Sequence, residues 1–343
     1  MLLRNALAFL IALVTVHLAP TGVSAPRAER RGARAGPTVV EYRLPRPGVF
    51  PHDPAVAPDG GVWYTDQANS YVGRLDPTTG KVSDWPTPTP KSGPHGLVVA
   101  PDGAVWYTAN SAGRIGRLDP ATGRIREFVL PAEAKDPHTP VLRGDMLWFT
   151  AQRANLIGRL DTRTGEVKLF PVATPHALPY GIVPTADGYG FWVALFGTNK
   201  LAHVVAATGA IHEIELPETT ARPRRLTVDG QGRVWFSDFG ASRLGMLDPA
   251  TRTIREYDTP AIGKPYGIAV GPDGRIWYEE SSKGKVVAFD PATEQSEVLT
   301  IPTSGAIVRN IAVDAARGRI WLALSGTGRL GRIDVGSPPA AAR

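Results

Sequence analysis

Seven tryptophans, Trp63, Trp106, Trp148, Trp192, Trp235, Trp277 and Trp321, recur at intervals of 42 to 44 residues. This period constrains the fold more than composition does, because each unit is one block that can bury its apolar face only against its neighbours. Around each tryptophan the order is the same. An apolar run follows a Pro-X pair, an Asp-Gly-type turn leads into a Val-Trp-Tyr-Thr-like run, and a string like Ile-Gly-Arg-Leu-Asp comes next. A Pro-Ala-Thr-Gly-type turn then precedes an alternating segment such as Ile125-Arg126-Glu127-Phe128. Short runs rich in β-branched and aromatic side chains, punctuated by such turns, read as four antiparallel strands per unit. Four strands at this period make a blade. Seven blades predict an all-β, seven-bladed β-propeller over residues 38–335. The tryptophans then read as core residues packing blade on blade.

The last unit ends at Gly331-Arg332-Ile333-Asp334 without a fourth strand. Val39-Val40-Glu41-Tyr42-Arg43-Leu44-Pro45, ahead of the first unit, matches the missing piece, as comparison with Ile254-Arg255-Glu256-Tyr257 shows. The N-terminal strand is therefore expected to complete the seventh blade and close the ring, which removes exposed sheet edges.

Arg4 precedes an apolar run from Ala6 to Val16, and Val23-Ser24-Ala25 resembles a small-residue cleavage site. Residues 1–25 accordingly read as a signal peptide, with a periplasmic or secreted location. The run falls short of the roughly 20 apolar residues a spanning helix needs, so no stable membrane span is expected after cleavage. Residues 26–37 read as a flexible basic linker and 336–343 as a disordered tail. The chain has no cysteine, which excludes disulfides and zinc–thiolate sites. Of the net charge of +6, Arg4, Arg27, Arg30, Arg31 and Arg34 against Glu29 supply +4, leaving +2 for the body. That near-neutral body argues against a nucleic-acid partner. A monomer taking a small molecule in its central channel is expected.

The innermost strand of each propeller blade lines the channel, so equivalent residues at its start form a ring. The residue after each proline gives His52, His95, His138, Tyr180, Arg224 and Tyr266, with Arg309 in the same place in Val308-Arg309-Asn310. None is apolar. Burying seven polar groups is costly unless they are paired or hydrated, so this convergent polar mouth is the candidate site. His176, His203 and His212 fall outside it. A second ring, three residues after each tryptophan, carries Asp66, Ala109, Ala151, Leu195, Asp238, Glu280 and Leu324, whose acids are candidates to meet the histidines and arginines.

The strings Gly93-Pro94-His95-Gly96-Leu97, Trp106-Tyr107-Thr108 and Arg114-Ile115-Gly116-Arg117-Leu118 are similar to the repeat of the streptogramin B (virginiamycin B) lyases, and the resemblance covers residues 39–335. It implies a propeller that linearises a cyclic depsipeptide by β-elimination at an ester, with a magnesium ion. The family site draws on Pro-His and Glu-Pro-His from the last two blades, a later Glu, and Pro-Tyr-Gly-Ile from the first. In that register this chain carries Tyr266, Ile307 with Arg309, and Ser325 instead. A closed ring has no intrinsic first blade, however. One rotation restores the order as Pro94-His95-Gly96, Asp136-Pro137-His138 and Pro179-Tyr180-Gly181-Ile182, with Gln152 where the second Glu would stand.

On that rotation the resemblance implies His138 as base and Tyr180 as its catalytic companion. His95, Arg224, Tyr266 and Arg309 would bind substrate, and Asp136 and Gln152 would hold Mg2+. A competing reading makes His52, His95 and His138 a centre for copper, iron or zinc, since neutral imidazoles suit those metals. Three functions stay open: a lyase-like enzyme acting on an ester- or lactone-containing small molecule, a non-catalytic binding or scaffold propeller, and a histidine-cluster metal-binding or redox protein.

Overall fold

The computed structural model describes residues 37–260, 263–281 and 283–336. The segments expected to be a signal peptide (1–25), a linker (up to residue 36) and a tail (from residue 337) lie outside the described residues. Among the described residues, no helix is long and apolar enough to cross a membrane. The strands form seven antiparallel four-stranded sheets. Blades one to six comprise residues 51–86, 94–129, 137–171, 179–215, 223–258 and 264–300. Blade seven comprises residues 308–334 together with Val39–Arg43.

The ring closes as the repeat predicted. Val39 pairs with Ile333, Glu41 with Gly331 and Arg43 with Arg329. The Leu44 amide extends the pairing to the Gly328 carbonyl at 3.1 Å. Tyr42 accepts a 2.6 Å hydrogen bond from Arg332, and the Thr303 amide donates to Glu41 at 2.9 Å. The tryptophans are core, as read. Trp148 of blade three packs with Ile182, Phe191 and Val193 of blade four, and Trp235, Trp277 and Trp321 are fully buried. The glycine of each Ile-Gly-Arg-Leu string is needed for close packing: a Cβ on Gly116 would collide with the Tyr107 ring.

Every innermost strand carries a β-bulge at its start, between Pro51 and Pro54 in blade one and at the matching place in the other six. A bulge inserts an extra residue and re-aims side chains, which is how seven polar residues come to face the axis. It also leaves a backbone N–H without its ladder partner, and the neighbouring strand supplies one. The Thr65 hydroxyl accepts from the Asp53 amide at 3.1 Å and donates to the His95 carbonyl of the next blade at 2.7 Å. Thr108, Thr150 and Ser237 repeat the arrangement, donating to the carbonyls of His138, Tyr180 and Tyr266 at 2.7 Å each. Each hydroxyl satisfies one bulge and ties two blades, with net worth of about 1 kcal/mol per bond. At this position blade six instead has Glu279, which accepts from the Gly267 amide at 3.3 Å.

Candidate functional site

All seven predicted ring residues line one cavity of about 270 Å³ at a single channel mouth, together with Phe50, Gln67, Asn110, Asp136, Gln152, Arg153 and Phe196. His52, His95, His138, Tyr180 and Tyr266 are buried, and Arg224 and Arg309 are half-buried. The first four form a staircase. Successive ring centroids from His52 through His95 and His138 to Tyr180 lie 3.7, 3.8 and 3.9 Å apart, with tilts of 40°, 48° and 52°. Those tilts approach the seventh of a turn that separates neighbouring blades, so the stack is the propeller's own rotation expressed in side chains.

Across the cavity the character changes. The Tyr180 and Tyr266 hydroxyls share a very short hydrogen bond. The Arg224 guanidinium lies 3.8 Å from the Tyr266 ring centre, 4.5 Å from Phe239 and 4.9 Å from Phe196, and donates to the Tyr180 hydroxyl at 3.3 Å. Aromatic faces attract such cations, so this box fixes Arg224 without neutralising it. Arg309 sits 5.5 Å from Phe50 and 5.9 Å from Tyr266.

One residue further along each strand lies a second layer, which the sequence reading did not single out. Arg225 of blade five reaches across the axis to Asp53 of blade one, with contacts of 2.8 and 3.3 Å. The His52 Nδ1 lies 2.9 Å from the same Asp53 carboxylate. Burial alone would raise the Asp53 pKa, but Arg225 and His52 outweigh it and hold the carboxyl well below the ordinary carboxylate range. Beyond this pair a separate cavity of about 250 Å³ opens, lined by Asp53, Thr139, Arg225 and Asn310 among others.

Burial sets the protonation of the histidines. Desolvation lowers His52 despite Asp53, and lowers His95 and His138 much further, helped by the neighbouring imidazoles and guanidiniums. All three are therefore neutral at neutral pH. The His138 Nδ1 lies 3.0 Å from the Thr139 hydroxyl, and in the tautomer in which Nδ1 donates to that hydroxyl, Nε2 is the atom that accepts a proton. Burial also raises the Tyr180 hydroxyl, with Tyr266 adding to the effect.

The metal expectations can be set against this donor set. Asp136 and Gln152 do line the mouth, but Asp136 is the one carboxylate among the cavity-lining residues, and its carboxylate lies 3.6 Å from the Arg153 guanidinium. Magnesium prefers hard oxygens with carboxylate charge, so an amide beside a guanidinium-facing Asp136 fits it poorly. Among the described residues, the group with ligand atoms within 4.8 Å of one another is His52, Asp53 and His95 rather than the three histidines. Asp53 in that group is already engaged by Arg225.

The second acidic ring does not meet the histidines. Asp66 and Asp238 turn back to accept loop amides, from Phe50 at 3.0 Å and from Arg222 at 2.8 Å respectively. Glu280 lies against Gly263, where burial raises its pKa to about 7. His203 and His212 line a larger cleft of about 810 Å³ on the flank between blades four and five.

Fold and ring define a closed seven-bladed propeller with a polar axial mouth. The virginiamycin B lyase family model matches residues 27–264, and the chain belongs to that family. It is similar to a solved streptogramin B lyase at 25% identity and TM-score 0.81, covering 88% of this chain and 98% of that one. It is also similar to virginiamycin B lyase from Staphylococcus aureus at 24% identity and TM-score 0.80, covering 87% and 99%. Hydrazine synthase from Kuenenia stuttgartiensis shares the fold at 14% identity and TM-score 0.72, covering 91% and 99%, so the scaffold alone does not fix the chemistry. No curated protein matches the chain significantly.

Proposed function

We propose that the ring mouth is the active site of an exported lyase-type enzyme that opens an ester- or lactone-containing small molecule by β-elimination. The observation that carries this reading is the pairing, in one cavity, of a buried neutral imidazole at His138 with the guanidiniums of Arg224 and Arg309. Elimination needs both parts. His138 Nε2 takes the proton α to a carbonyl, the C–H electrons become the new C=C bond, and the β C–O bond breaks to release a carboxylate. Arg224 faces the negative charge that develops on the carbonyl oxygen, where a preorganised cation in a poorly hydrated site is most effective. His95 packs against His138 and orients it. Tyr180, stacked on the other face of His138 and bonded to Tyr266, shapes the wall against the leaving group. Because the donor set suits magnesium poorly, no step here runs through a metal.

Lactone and cyclic depsipeptide substrates followed by mass spectrometry test the reading. Elimination opens the ring with no change in mass and creates an absorbing double bond, whereas hydrolysis adds the mass of one water. Opening that depends on His138, lost by roughly 10²- to 10⁴-fold in His138→Ala, is the expected result. Uptake of water, or unchanged turnover in His138→Ala, would overturn it. A binding propeller is the second reading, favoured by Gln152 and Arg153 beside Asp136, and it is recognised by tight ligand binding without any ring opening.

A further inference from the structure

The elimination just described develops a single negative charge, yet the mouth holds more positive charge than that. Four guanidiniums, Arg153, Arg224, Arg225 and Arg309, surround the ring and the layer beneath it. Two carboxylates answer them: Asp136 faces Arg153, and Asp53 is held by Arg225. Glu279 lies nearby but is fully buried and forms no ion pair with them, and desolvation pushes its carboxyl well above the ordinary value, which favours its neutral form. The excess is two, and it resides on Arg224 and Arg309.

Neither of these arginines has an ion-pair partner among the described residues. Arg224 uses one donor, toward Tyr180, and its Nε is buried with no acceptor. Among the described residues the Arg309 side chain makes no hydrogen bond, and its Nε is likewise buried without a partner. A guanidinium offers five N–H donors in a planar fork that matches an oxoanion, and leaving buried donors unmade is costly. Phe50, Tyr266 and Phe239 provide apolar faces beside both groups.

We infer that Arg309, beside Arg224, forms a carboxylate-binding subsite, and that the substrate is an ester or lactone carrying a free carboxylate on an apolar body. This deepens the elimination reading and rests on it: Arg224 serves the reacting carbonyl, and Arg309 anchors the permanent charge. At about 270 Å³ the cavity falls just below the usual range for drug-sized ligands, so it takes a small acid or the acidic end of a larger one.

The test is calorimetric titration of the full chain, purified without an affinity tag, with three probes: phenylacetate, its uncharged methyl ester, and inorganic phosphate. Phenylacetate is expected to bind, and to bind more tightly than either of the others. Arg309→Met, which breaks no hydrogen bond, is expected to weaken phenylacetate about tenfold to a hundredfold. Arg163→Met, at a surface guanidinium paired with Asp145, serves as the control and is expected to change nothing. Equal affinity for acid and methyl ester, a preference for phosphate, or unchanged binding in Arg309→Met would each overturn the inference. Ring opening of an uncharged lactone without phenylacetate binding would remove this subsite and keep the elimination. Phenylacetate binding without any ring opening would do the reverse.

Discussion

The Asp53–Arg225 pair offers a sharp test of how the channel is built, through the substitution Asp53→Asn. Asp53 and Arg225 are 3% and 5% exposed, so solvent screens their attraction little. Removing one partner leaves the other as an uncompensated buried charge, which typically costs about 3–5 kcal/mol. An asparagine oxygen still reaches His52 and one arginine donor, which favours the lower end, about 3 kcal/mol. For a domain of about 300 residues that is a fall in Tm of roughly 5 °C, read by calorimetry at neutral pH. Asp53→Leu combined with Arg225→Met removes both charges and should recover most of the loss, because a well-packed apolar pair is often neutral or better. The pH dependence has a definite sign. The folded pKa of Asp53 is depressed, so the ion pair's stability is complete above the unfolded value of about 4 and is lost as pH falls below it. Wild type should therefore exceed Asp53→Asn by a constant margin above about pH 4 and lose that margin in more acidic buffer. A neutral-pH difference below about 0.5 kcal/mol, or a double variant as unstable as the single one, would show that the pair does not carry the weight assigned to it.

Two further outcomes follow from the geometry. Deleting residues 37–45 exposes the outer edge of the strand Arg329–Asp334, and is expected to produce a lower melting temperature and aggregation on heating; an unchanged melt would contradict the closure. Turnover in the proposed elimination is expected to persist below the ordinary histidine pKa, because burial favours neutral His138 there; an acidic limb of the pH–rate profile at or above about 6.5 would contradict that assignment.

The blade count, the closing strand and the ring were legible because each is a repeat property. Trp63 to Trp321 fixed the period, and Val39 to Leu44 could be recognised as a fourth strand from Ile254-Arg255-Glu256-Tyr257. The Asp53–Arg225 pair was not legible. The partners are 172 residues apart, and a repeat tells which position faces the axis without telling which two of seven blades will join across it. Reading one residue beyond the ring would have shown Asp53 and Arg225 as the opposite charges of the layer Asp53, Gly96, Thr139, Gly181, Arg225, Gly267 and Asn310. Asp66 and Asp238 misled for a different reason. Their spacing places them at the end of a strand, but the adjoining loop presents free amides nearer than the channel does. The stacking of the histidines, finally, depends on the bulge at the start of each inner strand, and no residue type in the Pro-X pair announces a bulge.

The pair across the axis also confines the proposed elimination to one mouth. Asp53 and Arg225 stand between the ring cavity and the cavity beyond it, so a ligand reaching His138 enters from the ring side. With solvent limited to that side, desolvation dominates the histidines, and the same poorly hydrated surroundings strengthen the pull of Arg224 on a carbonyl oxygen. The two effects work against each other in a useful way. Burial makes His138 a weak base, which alone would slow proton abstraction, while in the proposed elimination Arg224 would lower the energy of the carbanion that abstraction creates. Blades one to three contribute the imidazoles, and blades five and seven contribute the cations. A ring whose seven positions are equivalent in backbone is thereby divided by its side chains into an imidazole arc and a guanidinium arc, which the proposed elimination would use to accept the proton and to stabilise charge. A substrate lying across the mouth would present its C–H bond to the first and its carbonyl to the second.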